Sequence, residues 1–256
     1  MSAPAEPAEA AEPAEPSQSF AITRENLFDG SLMSALRTTA PPGTTMRSVA
    51  ELEASMNAVL LDREGNEDIH VFGYGSLMWN PAIHFVESMR ASLQGWHRRF
   101  CLRLFMARGS LQTPGLMLAL DQGGSCDGVL FRIAGDQARE ELAVLWQREM
   151  LSGAYHARWI EAMTPAGPVS ALTFVANREH PRYAGELSDD EAAHFIATGR
   201  GSLGSCADYF DNTVASLRDM GIEDASIAGL MLALKSAAAK STAAAPSAVT
   251  GRPEAL

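Results

Sequence analysis

The spacing of apolar residues changes character along this chain. Between residues 23 and 64 it is helical in two short stretches, Leu27–Leu36 and Val49–Leu61, parted by Ala40-Pro41-Pro42-Gly43. Polar residues from Thr45 to Glu51 supply an entry for the second helix. From Ile69 onward the texture is that of alternating strands and helices. Ile69–Phe72 is a short apolar strand that runs into the turn Gly73-Tyr74-Gly75. Leu93–Leu104, Gly115–Leu120 and Gly128–Ile133 read as further strands, with Asp121–Gly124 as a turn between the last two. Residues 136–150 have the period of one amphipathic helix, and Arg158–Met163 with Val169–Val175 forms a hairpin around Pro165-Ala166-Gly167-Pro168. Ser188 and Glu191 have the spacing of a capping box and open a helix to about Thr198. Two helical patterns, Cys206–Met220 and Ile222–Ser236, close the series. Strands first and helices afterwards predict an α+β domain or small barrel, not a doubly wound sheet.

Both ends are compositionally biased. Residues 1–20 are dominated by Ala, Pro, Glu and Ser, with Pro4, Pro7, Pro13 and Pro16 interrupting any helix, and are expected to be a disordered acidic tail. Residues 237–256, rich in Ala, Ser and Thr with two prolines, are expected to be a second tail. The expected organisation is therefore tail 1–20, helical arm 21–66, main domain 67–236 and tail 237–256. The formal charge is −11, and four glutamates in the first tail contribute to it. Such an excess of acid argues against nucleic acid as a partner, because phosphate binding needs clustered Lys and Arg. No apolar run approaches the length of a membrane span, so no membrane partner is expected. No basic region precedes an apolar stretch at the N-terminus, so no signal peptide is expected. Cys101, Cys126 and Cys206 form no CxxC pair and read as thiols in a reducing cytoplasm.

Two places can carry chemistry. In Gly73-Tyr74-Gly75-Ser76-Leu77, two glycines flanking a tyrosine let the backbone turn sharply and present N–H groups to a carboxylate, phosphate or oxyanion. Met78 stands where a dinucleotide fingerprint needs its third glycine, and Ser76 lacks the following glycine of a nucleophile elbow. A tight turn in the core accounts for the glycines equally well. The second place is Glu149. On the 136–150 helix it shares one face with Ala138, Leu142, Leu145 and Trp146, so a carboxylate closes an apolar stripe near a helix C-terminus. Desolvation and the helix dipole both raise its pKa, as acid–base work near neutrality requires. The competing reading is an ion pair with Arg148 or Arg158 at the edge of the core. Arg99 and Arg103 share one strand face with solvent as their expected surroundings, and Tyr209 sits on a late helix that projects toward a cleft or packs in the core. The six histidines show no metal spacing, and no metal is expected.

The run Phe72-Gly73-Tyr74-Gly75-Ser76-Leu77-Met78-Trp79-Asn80-Pro81 resembles the opening motif of the ChaC-like γ-glutamylcyclotransferases. The resemblance continues through Gly95–Leu104, Pro114–Leu120 and Leu145-Trp146-Gln147-Arg148-Glu149-Met150, then Gly153, Tyr155, Gly204 and Tyr209. It implies a small mixed β-barrel surrounded by helices and the cleavage of glutathione to 5-oxoproline and cysteinylglycine, with no cofactor. It also implies that Val71, Phe72, Gly73, Tyr74, Gly75, Ser76 and Leu77 with Tyr209 bind the γ-glutamyl group, and that Glu149 is the catalytic acid/base. The spacing from Arg148 to Tyr155 resembles the bacterial branch. A cyclotransferase for other γ-glutamyl amines or peptides, and a non-catalytic ligand-binding regulator, are the alternatives.

Overall fold

The computed structural model describes residues 22–244, with 62, 64 and 65 left out; the expected tail at 1–20 and the end of the second tail lie outside the described residues. Three helices come first: α1 (Arg24–Phe28), α2 (Ser31–Thr39) and α3 (Val49–Leu60). The single helical pattern around Leu27–Leu36 is thus two helices. Gly30, with φ of 75°, turns the chain between them where a residue with a Cβ would be strained. The α3 helix starts as the polar residues predict, with Ser48 and Glu51 forming a reciprocal capping box.

Five strands then close a barrel: β1 (Ile69–Gly73), β2 (Glu87–Leu104), β3 (Gly115–Ile133), β4 (Tyr155–Thr164) and β5 (Gly167–Ala176), in the order β1-β3-β2-β4-β5. Closure comes from a parallel contact of β5 with β1 at Val71 and Leu172. The helix α4 (Gly135–Glu149) connects β3 to β4; α5 (Asp189–Thr198), two-residue strands β6 (Arg200–Gly201) and β7 (Gly204–Ser205), α6 (Cys206–Asp219) and α7 (Ala225–Ala244) follow.

Two of the expected boundaries are corrected. Asp121–Gly124 does not separate two strands: β3 runs through it for 19 residues, antiparallel to β2 along almost its whole length. The register slips between Gln94 and Trp96, so the turn-forming glycines Gly95, Gly123 and Gly124 absorb a bulge within a long, bent ribbon. The α7 helix passes position 236 and continues to Ala244, because the alanines read as low complexity are also the strongest helix formers.

Alternation along the strands sends successive residues into two different cores. Val71 joins Ile133, Leu172, the α4 residues Leu142, Leu145 and Trp146, and the arm residues Leu27, Leu52 and Met56. Its neighbour Phe72 joins Leu93, Leu118 and Leu130 with Ile196, Tyr209, Leu217 and Ile227 of α5–α7. The arm is fastened to α4 at several points. The Arg24 guanidinium meets Glu140 and the buried Glu141 at 2.7 Å each, and Trp146 Nε1 donates to Ser55 Oγ at 2.9 Å. Among the described residues no helix is long and apolar enough to cross a membrane.

Candidate active site

Strand β1 ends at a tightly packed glycine turn. A Cβ on Gly75 would lie 3.1 Å from the Tyr209 hydroxyl and 3.2 Å from Leu118 Cδ2, tighter than ordinary packing. The turn continues into a single 3₁₀ turn, Ser76–Met78, and among the described residues no acceptor takes the N–H groups of Gly75 or Ser76. Tyr74 is buried, and its hydroxyl donates to the Phe174 carbonyl at 2.7 Å. The Tyr74 carbonyl accepts from Arg98 Nε at 2.6 Å. Arg98 is wholly buried, and its terminal nitrogens reach the Asp224 carboxylate and the Asp127 carbonyl. It is therefore a strut between the glycine turn and the start of α7.

The turn borders a cavity of about 450 Å³, the size of a small-molecule site. Tyr74, Gly75, Ser76 and Leu77 line it, as do Glu149 from the end of α4, Tyr155 from the start of β4 and Tyr209 from α6. Val71, Phe72 and Gly73 do not reach it: Val71 and Phe72 are fully buried in the two cores, and Phe72 instead accepts a hydrogen bond from Thr173 Oγ1 through its carbonyl. Tyr155 lines the cavity, while Arg99 is drawn off to Asp121 and the Cys206 thiol donates to the Leu116 carbonyl at 3.0 Å.

Glu149 combines both of its expected environments. Its side chain is 14% exposed, and Arg148 Nε stands 3.1 Å from Oε1. Burial nevertheless holds the carboxyl above the usual carboxylate range, with the Arg148 charge opposing. Arg148 also donates to Ser76 Oγ at 2.7 Å and to the Asn80 carbonyl at 2.6 Å, so one guanidinium joins the glycine turn to the carboxylate. Tyr155 donates to the Leu118 carbonyl at 2.7 Å, and Tyr209 packs edge-on against Trp79 at 5.4 Å between centroids. Burial beside Glu149 pushes both phenols up, so they stay neutral donors.

The sequence reading missed part of this lining. Trp79 and Asn80 lie in the motif already singled out, a signal that was available. Arg108 and Arg182 are isolated in loop segments and gave none. The arm contributes Ile22 and Leu36 to the wall, with Asn80 Nδ2 donating to the Ile22 carbonyl at 2.8 Å.

A family profile described as "ChaC-like protein" matches residues 69–237. The chain belongs to the ChaC-like family. This ChaC-like protein is 37% identical over 215 residues to the glutathione-specific γ-glutamylcyclotransferase of Escherichia coli K12, covering 84% of this chain and 92% of the relative. It is 33% identical over 150 residues to glutathione-specific γ-glutamylcyclotransferase 1 of Danio rerio, covering 57% and 76%. A crystal structure of a yeast γ-glutamyl cyclotransferase specific to glutathione superposes with a TM-score of 0.62 at 20% identity, covering 67% of this chain and 97% of that one. That likeness shows the γ-glutamylcyclotransferase fold in this ChaC-like chain. The E. coli match is longer than the stretch from Ile69 to the C-terminus, so it takes in part of the arm.

Proposed function

We propose that this ChaC-like protein is a glutathione-specific γ-glutamylcyclotransferase. Glutathione carries its own nucleophile. The α-amine of the γ-glutamyl group attacks the γ-carbonyl, a five-membered lactam closes, and the C–N bond to cysteine breaks to release 5-oxoproline and cysteinylglycine. The enzyme must hold the substrate folded, which is worth about 7–11 kcal/mol as effective molarity. It must also take a proton from the ammonium and return one to the leaving amine.

The observation that carries this reading is the placement of Glu149. It is a single carboxylate with a raised pKa, opening on a cavity bordered by a glycine turn with unused N–H groups. In this proposal Glu149 is the general acid/base. The N–H groups of the Gly75–Ser76 turn hold the α-carboxylate or the developing oxyanion, Leu77 shapes the wall, and the Tyr209 hydroxyl donates from beside the turn. Val71, Phe72 and Gly73 act from beneath, fixing the turn that the others form. The arm belongs to the catalytic unit through Ile22 and Leu36. The proposed compartment is the reducing cytoplasm, in keeping with three buried free cysteines.

The test is to incubate purified protein with glutathione and to measure 5-oxoproline and cysteinylglycine by mass spectrometry, for the wild type and Glu149→Gln. Both products are expected from the wild type, with turnover by the variant reduced about 10²–10⁴-fold. A variant retaining more than a tenth of the rate would remove Glu149 from the acid/base role. Turnover of γ-glutamyl-alanine in preference to glutathione would move the substrate and keep the chemistry.

A further inference from the structure

The charges lining the cavity do not balance. Glu149 is its one acid, and Arg108, Arg148 and Arg182 are its bases, an excess of positive charge inside a chain of net −11. Two of these arginines are already committed. Arg148 serves Glu149, Ser76 and Asn80, and Arg108 donates to the Ser205 carbonyl at 3.1 Å with the Asp208 carboxylate close by. Arg182 differs. Its Nε donates to the Arg103 carbonyl at 2.7 Å, while its two terminal nitrogens have no hydrogen bond or ion pair among the described residues and are not enclosed, so they are open to the cavity or to solvent. Burial disfavours its charge, and among the described residues only the Tyr155 phenol opposes this, with no carboxylate taking part. A guanidinium held this way lacks a counter-ion, and its flat pair of N–H donors fits a carboxylate in bidentate fashion.

Arg182 shares its cavity with Glu149 and the glycine turn. Glu149 reaches the cavity from the end of α4 and Arg182 from the loop between β5 and α5. In glutathione the glycine carboxylate lies two residues beyond the γ-carbonyl, about 7 Å when extended. Resting on the proposed function, we propose that Arg182 binds the glycine carboxylate of glutathione and makes the site selective for γ-glutamyl peptides that end in a free carboxylate.

The experiment compares glutathione with its glycinamide analogue, which differs only by that carboxylate, in the wild type, Arg182→Gln and Arg182→Lys. Release of 5-oxoproline gives kcat and KM. Losing one charged hydrogen-bonded pair is expected to raise KM for glutathione about 10- to 100-fold in Arg182→Gln. The kcat stays within about threefold, and Arg182→Lys falls between, because ammonium keeps the charge and loses the paired geometry. The amide is expected to be the poorer substrate of the wild type and to be indifferent to the substitution. Equal handling of both compounds by the wild type, or equal losses on both in Arg182→Gln, would overturn the proposal and leave Arg182 a support for the Arg103 carbonyl. The same pair is titrated by calorimetry in a Glu149→Gln background. If no γ-glutamyl compound is turned over, the functional reading fails alone, and binding that depends on both the carboxylate and Arg182 still upholds this assignment. Binding that depends on neither refutes it.

Discussion

Replacing Arg148 by methionine separates the electrostatics of the site from its shape. The Arg148 guanidinium favours the ionised form of Glu149, so its removal raises the Glu149 pKa further, and the base form is reached only at higher pH. Across the 3.1 Å separation the attraction is about 1.3 kcal/mol with the dielectric of water and about 5 kcal/mol with the value near 20 that suits protein surfaces. The smaller figure is a floor, and it corresponds to about one pH unit. The acidic limb of the kcat/KM profile, which reports the free enzyme, is therefore expected to move upward by at least about one unit in Arg148→Met. It should stay near its wild-type place in Arg148→Lys. The amplitude of the profile falls as well, because Ser76 and Asn80 lose a donor, but the position of the limb is independent of that loss. The assay is 5-oxoproline release at low glutathione over a pH series at fixed ionic strength, with melting curves to verify folding. A limb that stays put, or moves to lower pH, would show that the titrating group is not Glu149.

Further outcomes follow from the same contacts. Glu149→Gln is expected to bind glutathione within a few-fold of the wild type by calorimetry while turning it over about 10²–10⁴ times more slowly, since only proton transfer is removed. Asp224→Ala strands the buried Arg98 charge, which costs about 3–5 kcal/mol; melting is expected about 6–20 °C lower by scanning calorimetry, and an unchanged melting temperature would refute the strut. Leu36→Asp puts a like charge on the wall facing an anionic substrate, so KM for glutathione should rise about tenfold or more with kcat little changed. An unaltered KM would mean that the arm does not touch the bound substrate.

The sequence made the helices and the cavity's carboxylate legible for local reasons. The capping pairs Ser48–Glu51 and Ser188–Glu191 are complete within four residues, and both helices begin where they point. The stripe that exposes Glu149 lies within one helix, so its period suffices. Features that depend on distant partners were not legible. Gly123 and Gly124 read as a turn because nothing local shows that β2 continues alongside them. Arg98 reads as one of several strand arginines, and only the fold brings Tyr74, Asp127 and Asp224 to it. Val71 and Phe72 belong to the motif yet do not line the cavity beside Glu149, because a motif marks what is needed to build the turn as well as what touches the ligand. Arg182 had no neighbours in sequence to distinguish it.

The arm imposes an order of events on a newly made chain. Arg24 is separated from Glu141 by 117 residues, and at roughly 5–20 residues per second their synthesis takes about 6–23 s. During that interval Leu27, Leu32, Leu52 and Met56, which end in the core against α4, have no surface to cover them. The arm thus leaves the ribosome well before the surface it packs on, and its apolar residues stay uncovered for that interval.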